Sequence, residues 1–519
     1  MSQIKDVDIR LREMAQSHSK DIALQDASRA VNWSEFDKHV NQIANALLAR
    51  DVQPNDRIAI LGRNSIAYAE LIFGCMRAGA CITPLPSLVS AEDIVNMLAD
   101  CGARYLFVSM EFAEEMLVRR GLLTALATDG LVLVDGDHPD CTSLRRFIDG
   151  ASSEAQSIES RPDLGFNLIY SSGTTGNPKG ILQDRRYRAQ EVNDMIEGFS
   201  FDHNMRTLVS TPLYSNTTLF LFIATLAAGG SAFIMEKFIA AEFLTISTAQ
   251  KITHAVLVPV QFARLLKEAN FDSLDLSSYQ QKFCTSAPLH AKVKREILER
   301  WPAGGLSEFY GMTEGGVCCL LKAHENPDKL DTVGQPAMDC DLKIIDEAGK
   351  ELPQGSVGEI IGRSTKMMVN YFKRAEATAA ASWFDEDGNR FHRSGDVGWQ
   401  DKEGFVHLLD RTKDIIISGG FNVYAIDLEN ILLTHPAVVD AAVIAAPCER
   451  WGETPVAFVV LETDADLQLE ALQRWANARL GKEQRISNIL ALDVMPRSPI
   501  GKILKRLLRD HLLLIANEQ

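Results

Sequence analysis

A chain of 519 residues is longer than one hydrophobic core usually serves, so two or more domains are expected. Its 46% hydrophobic and 24% charged residues are the composition of a globular protein, which excludes a fibrous or disordered class. The net charge of -16, from 53 basic and 69 acidic residues, disfavours general nucleic-acid binding, which needs a basic surface, yet local loops can still hold small anions.

The opening residues Met1-Ser2-Gln3-Ile4-Lys5-Asp6 lack the apolar core of a signal peptide. Glu35 to Arg50 places Phe36, Val40, Ile43, Ala44 and Leu47 at helical spacing. Residues 57–61, 105–108 and 131–134 read as short buried strands, and the alternation predicts α/β layers with largely parallel sheets. Phe166-Asn167-Leu168-Ile169 is a further apolar run leading into Tyr170-Ser171-Ser172-Gly173-Thr174-Thr175-Gly176-Asn177-Pro178-Lys179-Gly180. Glycines there let backbone N–H groups approach an anion, hydroxyls add donors, and Lys179 adds a point charge. A Ser/Gly-rich surface loop is the competing reading. The P-loop pattern has Lys followed by Ser or Thr; here Gly180 follows Lys179, so this is a different phosphate loop.

Leu208 to Met235 carries no charge, but Pro212, Ser215, Asn216, Gly229 and Gly230 interrupt it. Its most apolar part, Leu219 to Ala228, is half the ~20 residues a spanning helix needs, so a core helix is expected and no membrane span. After about Asp341, short strands such as Lys343-Ile344-Ile345 and Gly358-Glu359-Ile360-Ile361 separated by Gly/Pro turns suggest a small β subdomain. Nine scattered cysteines without a Cys-x-x-Cys pair give no zinc knuckle and suggest a reducing cytoplasm. Cys318-Cys319 could line a pocket or pack in the core.

The phosphate loop is followed by Thr211-Pro212-Leu213-Tyr214, Ser286-Ala287-Pro288-Leu289, Tyr310-Gly311-Met312-Thr313-Glu314, Ser394-Gly395-Asp396, Asp410-Arg411-Thr412-Lys413-Asp414, Ser418-Gly419-Gly420 and Pro499-Ile500-Gly501-Lys502. In this order the segments resemble the signatures of the adenylate-forming superfamily of acyl- and aryl-CoA synthetases, peptide-synthetase adenylation domains and firefly-type luciferases. The resemblance spans about Ala23 to Arg506. It implies an α/β fold: a large N-terminal domain of layered α/β sheets with a small β subdomain over residues 1–410, and a small mobile α+β domain over 411–519. The latter would hold strands over 438–444 and 456–461 and a helix from about 466 to 480.

The resemblance further implies an AMP-forming carboxylate:CoA ligase. A carboxylate attacks the α-phosphate of ATP, pyrophosphate leaves, and the acyl-adenylate is passed to the thiol of coenzyme A. Such a site calls for cations and donors against phosphate charge. Ser171, Ser172, Gly173, Thr174, Thr175, Gly176 and Lys179 would hold the phosphates. Glu314 would ligate Mg²⁺, with Thr174 and Thr313 beside it. Ser286, Ala287, Pro288, Glu308, Phe309, Tyr310, Gly311 and Met312 would surround the nucleotide, with Tyr310 on adenine and Glu308 accepting from its amino group. Asp396 would accept from the ribose hydroxyls, and Arg411 would add a contact. Lys502 would bridge the carboxylate and the α-phosphate. Lys413 would sit at the hinge, and Ser418, Gly419 and Gly420 would line the path of the pantetheine arm. Lys505 and Arg506 read as a solvated helix face.

Tyr214, Ser215, Asn216, Thr217, Phe309, Gly315, Gly316 and Cys318 are the expected acid pocket. Relatives often carry His near Arg185 and at Ser215, and Gly where Phe309 stands, so the pocket should be more polar at its wall and shorter. Phe309, Phe220, Phe222 and Tyr214 could form an aromatic slot for a benzoate- or cinnamate-like acid, or they could be core; a short or medium aliphatic acid is the alternative. The partners are then a small carboxylic acid, ATP and CoA, with no nucleic acid; a homodimer is allowed for. Loading of a carrier protein is the alternative acceptor reaction, although no attached carrier domain is seen.

Overall fold

The computed structural model of the protein describes residues 4–155, 161–170, 178–337, 339–463, 465, 467–498 and 501–517. Two compact units are present. One comprises Met1–Leu330, Pro336–Asp341 and Arg363–His392; the other comprises Asp331–Gln335, Leu342–Gly362 and Arg393–Gln519. The fold is mixed α/β, with a large N-terminal and a small C-terminal domain.

In the first unit, one sheet has the strands Cys318–Lys322, Gly305–Gly311, Gln281–Cys284, His254–Leu257, Arg206–Val209, Ser231–Ile234, Ile22–Gln25 and Ala30–Asn32 side by side. The pairs Gly305–Gly311/Cys318–Lys322 and Ile22–Gln25/Ala30–Asn32 are antiparallel and the pairs between them are parallel. A second sheet runs Asn370–Tyr371, Gly180–Asp184, Gly165–Tyr170, Cys81–Pro84, Arg57–Leu61, Tyr105–Val108, Leu131–Leu133 and Thr142–Ser143. It is antiparallel at the Asn370 edge and parallel beyond. Strands covered on both faces read as unbroken apolar runs, which is why Tyr105–Val108 is buried at every residue.

Helices Trp33–Ala49, Ile66–Arg77 and Asn216–Ala227 share one hydrophobic core with strands of both sheets. Trp33–Ala49 is started by a capping box: Asn32 accepts from the Glu35 N–H at 2.9 Å, and Glu35 accepts from the Asn32 N–H at 3.1 Å. Ile66–Arg77 is buried along its whole length. Its buried Arg77 pairs with Asp8 and Asp37, tying the N-terminal helix to this layer. The uncharged stretch after Leu208 becomes a strand, a 12-residue buried helix and another strand. Among the described residues no helix is long and apolar enough to cross a membrane.

The second unit carries the short strands after Asp341, with Val406–Arg411 paired to Arg390–Gln400. It also holds a sheet of Phe421–Val423, Ile416–Ser418, Gly452–Leu461 and Val438–Cys448, with Asn488–Ala491 parallel to Gly452–Leu461. Helices Ala425–Leu433, Leu469–Asn477 and Lys505–Asn517 accompany it. Lys505 departs from the sequence reading. Its side chain is only 17% exposed and pairs with Glu429 at 2.9 Å, so it is an internal ion-pair partner. Arg506, at 64%, does face solvent.

Asp410, at the end of Val406–Arg411, joins that strand to helix Ala425–Leu433. Its Oδ2 accepts the Ala425 N–H and its Oδ1 the Arg411 N–H, each at 2.7 Å. Burial pushes its carboxyl up to about 6, against the pull of the Lys505 ammonium and with Glu429 adding to the rise. A carboxyl raised by folding binds more protons in the folded state, so its contribution to stability is present below the unfolded value and is lost as pH rises from 3.8 to about 6. Asp410→Asn keeps an acceptor for Ala425 without the titration. Urea midpoints from pH 3.5 to 7 should fall less for the variant than for the wild type; identical profiles would remove Asp410 as the source.

Candidate active site

Strands Gly305–Gly311 and Cys318–Lys322 form an antiparallel hairpin, and its connection carries Met312, Thr313, Glu314, Gly315 and Gly316. The Gly315 N–H donates to the Met312 carbonyl at 3.0 Å, closing the turn. Residues 366–368 lie against it: Met368 N–H donates to the Glu314 carbonyl at 2.7 Å and Gly316 N–H to the Lys366 carbonyl at 2.8 Å. That approach requires glycine. Gly315 has φ +72°, and a Cβ there would stand 2.0 Å from the Lys366 carbonyl oxygen. The Glu314 side chain is held from the same side, accepting from the Tyr371 hydroxyl at 2.7 Å. Lys179 stands over the Tyr371 ring, 5.2 Å from its centroid. Glu314 and Lys179 are thus organised around one tyrosine. Thr313 is fixed through its carbonyl, which accepts from Gln183 at 2.6 Å.

Gln183 belongs to a buried polar set. Arg188, fully buried, donates to Asn167, Gln183 and Asn216 and pairs with Glu191. Asn216 opens helix Asn216–Ala227, with the Ser215 side chain accepting from the Thr217 N–H. The Thr217 hydroxyl is bonded to that of Ser286, a residue at φ +81° in the turn that also holds Ala287 and Pro288. The same turn is braced by Glu308. Its carboxylate is turned into the protein, accepting the Leu289 N–H at 2.8 Å and pairing with buried Lys294 at 2.5 Å. Both oxygens are therefore engaged within the fold, and Glu308 sets the turn on which Ser286, Ala287 and Pro288 lie.

Among the aromatic candidates the structure separates two roles. Phe309 packs with Phe220 at 5.6 Å and Phe283 at 6.0 Å between centroids, and it remains partly accessible. Phe222 is completely buried beside Phe73 and belongs to the core. Tyr214 is 8% exposed, and burial pushes its phenol up to about 12. Cys319 is core, whereas Cys318 is half-buried and its N–H donates to the Cys340 sulfur at 3.4 Å.

In the second unit, the strand pairing sets Asp396 opposite Arg411, whose Nε lies 3.1 Å from Asp396 Oδ1. The Asp396 N–H donates to Ser394 Oγ at 3.0 Å. Lys413 follows in a single helical turn closed by Ile415 N–H to the Arg411 carbonyl at 3.1 Å. Gly419 and Gly420, at φ +58° and +85°, make the two-residue turn of the hairpin Ile416–Ser418/Phe421–Val423. The Trp451 ring would stand 2.9 Å from a Gly419 Cβ. Lys502 follows Gly501 ahead of helix Lys505–Asn517.

Ser171, Ser172, Gly173, Thr174, Thr175 and Gly176, together with Pro499 and Ile500, lie outside the described residues. Tyr371, Lys366 and Gln183 are site-forming residues that sequence reasoning missed. Lys366 is buried between Asp194 and Asp339, a pairing invisible at separations of 172 and 27 residues. Tyr371 lies in a short strand beside Gly180–Asp184, a pairing between segments too far apart in the chain to be read locally.

A lysine and a carboxylate organised around one tyrosine on an α/β core, in a chain that also carries a small α+β unit, are the parts of a nucleotide-using two-domain enzyme. The chain belongs to the AMP-binding enzyme family: that family's model matches residues 11–372, and the model of the AMP-binding enzyme C-terminal domain matches 427–502. It is 32% identical over 489 residues to a feruloyl-CoA synthase of Amycolatopsis sp, covering 93% of this chain and 94% of the relative. It is 29% identical to the fatty acid–[acyl-carrier-protein] ligase ScoC of Streptomyces coeruleorubidus, covering 93% and 92%. Its fold matches ATP-bound MatB from Rhodopseudomonas palustris with a TM-score of 0.88 at 26% identity, covering 98% of each chain.

Tyr371→Phe removes the donor on Glu314 and leaves the ring under Lys179. A hydrogen bond to a charged group contributes about 1.5–3 kcal/mol, so kcat/KM for ATP should fall roughly 10- to 100-fold, with a higher Mg²⁺ requirement. Steady-state pyrophosphate exchange over a Mg²⁺ series checks this; an unchanged Mg²⁺ dependence would detach Tyr371 from the carboxylate's function.

Proposed function

We propose that this chain activates a compact, preferentially aromatic carboxylic acid, and that its acceptor is coenzyme A. The chain is an AMP-forming acid–thiol ligase that uses ATP and CoA. The carboxylate of Glu314, held by Tyr371 beside Lys179, supports this reading best. It pairs one acidic oxygen donor with a cation, which is what a metal-bound polyphosphate needs. One Glu314 oxygen accepts from Tyr371, and the residues fit Mg²⁺ held by this single carboxylate together with the phosphates of ATP, with Thr174 as a further donor. The ion would supply charge neutralisation there.

The remaining roles follow the same reading. Ser171 to Gly176 and Lys179 hold phosphates, Tyr310 covers the adenine, and Asp396 with Arg411 receives the ribose. Lys502 joins the attacking carboxylate to the α-phosphate, and the domain that carries it, 411–519, turns about Lys413 between half-reactions. The Gly419–Gly420 turn admits the pantetheine arm, where a side chain at Gly419 would meet Trp451. A reducing cytoplasm suits nine cysteines that are all free.

Phe309 supports the acid class. Its ring, beside those of Phe220 and Phe283, fills volume ahead of Tyr310, so a flat or short acid fits better than a long chain. Feruloyl-CoA synthase as a relative agrees with an aromatic acid. The resemblance to the carrier-protein ligase keeps acyl transfer to a carrier as the second reading.

ATP–pyrophosphate exchange over graded benzoates, cinnamates and aliphatic acids should be fastest with an aromatic acid, and release of AMP should then require CoA rather than a carrier protein. Phe309→Gly should admit longer acids and weaken use of the native acid by about 1–3 kcal/mol. A variant with unchanged acid preference and a sharply raised KM for ATP would move Phe309 to the nucleotide site.

A further inference from the structure

Two strands of backbone face each other around Lys502. Arg497 and Ile503 form an antiparallel bridge, Ser498 N–H donates to the Lys502 carbonyl at 2.7 Å, and Leu504 N–H donates to the Pro496 carbonyl at 2.9 Å. The Lys502 N–H returns a bond to Ser498 Oγ at 3.1 Å. Gly501 sits at φ +81° with its N–H on the Ser498 carbonyl, so the peptide entering Lys502 is turned sharply just before the lysine. Its carbonyl accepts from a cation: Arg497 Nη1 donates to Gly501 O at 2.6 Å.

The other end of that guanidinium is anchored. Arg497 Nη2 donates to Asp440 Oδ2 at 2.6 Å. Asp440 lies on Val438–Cys448, one of the two long paired strands of the C-terminal sheet, directly after a register shift that re-aims the strand. A planar guanidinium makes two such bonds with a fixed angle between them. It therefore transmits the position of a sheet strand to the 501–502 peptide, whose orientation sets the direction in which the Lys502 side chain leaves the backbone.

We propose that Arg497, anchored by Asp440, is the positioning residue of the adenylating lysine. This rests on the assignment of Lys502 to the adenylation step. The pair is partly exposed, at 26% and 21%, and ion pairs in that setting contribute little to folding. Its value lies in geometry: a reacting group displaced by about 1 Å can lose roughly 100-fold in rate.

The experiment compares Arg497→Met, Asp440→Ala, Lys502→Ala and Arg497→Met/Lys502→Ala in full-length protein, with both half-reactions measured separately. Arg497→Met should slow pyrophosphate exchange roughly 10- to 100-fold through kcat, with KM for ATP and acid nearly unchanged. Thioester formation from supplied acyl-adenylate should stay within about twofold of wild type, and Asp440→Ala should show the same split more weakly. Residues acting through one group are not additive, so the double variant should be no slower than Lys502→Ala alone. Thermal unfolding of each variant controls for loss of fold. Equal damage to both half-reactions, or multiplied effects in the double variant, would overturn the clamp while leaving the Lys502 assignment standing. Normal pyrophosphate exchange in Lys502→Ala would overturn the assignment and the clamp together.

Discussion

The buried ammonium of Lys366, caught between Asp194 and Asp339, is what the first unit's site depends on. A charge out of water must be paired, and breaking one partner of such a set is far more costly than a surface pair. Here the set joins helix Arg185–Phe199 to segments 336–341 and 363–392. The Lys366 backbone then supplies the carbonyl that Gly316 uses, Met368 takes the Glu314 carbonyl, and Tyr371 takes the Glu314 side chain. The lysine's own carbonyl forbids a side chain at Gly315, so the ion pair and the glycine are one constraint seen from two sides.

The small unit solves a parallel problem with charges that are less completely buried. Asp410, Glu429 and Lys505 lie together where strand Val406–Arg411 meets helix Ala425–Leu433. Arg509, from helix Lys505–Asn517, pairs with Asp414 at 2.6 Å. The helix that follows Lys502 is therefore ion-paired to helix Ala425–Leu433 through Glu429 and to the turn after Lys413 through Asp414.

Much of this was legible in the chain, and the limits have physical causes. The parallel strands announce themselves because both faces are covered, as at Tyr105–Val108, and Asn216–Ala227 reads as a core helix because polar residues end its apolar run. Glycine positions at 315 and 419 were visible as residue types, while the reason for each, the Lys366 carbonyl and the Trp451 ring in the way, belongs to segments further along the chain; Gly420 is required by its φ of +85° alone. Charged residues were the least legible. Lys505 looks like solvated surface until Glu429 is placed beside it, and Lys366 carries no motif. Glu308 announces a polar group near the nucleotide but not that Lys294 and Leu289 claim its oxygens. Phe220 and Phe222 differ by two positions on a helix, about 200° apart around it, so one meets Phe309 and the other Phe73.

The polar set around Arg188 bears on why the turn that carries Glu314 and the start of helix Asn216–Ala227 keep their shape. Asn167 and Gln183 are paired across neighbouring strands in an otherwise apolar layer, and neither could stay buried without donors and acceptors in register. Arg188 meets that need with five donors, and the same guanidinium fixes Asn216 at the start of helix Asn216–Ala227 while Gln183 fixes the Thr313 carbonyl. The start of helix Asn216–Ala227 and the turn that carries Glu314 are thus referred to one buried cation. A fully connected network of this kind holds its members to one arrangement, whereas a partly satisfied one would leave a costly orphan.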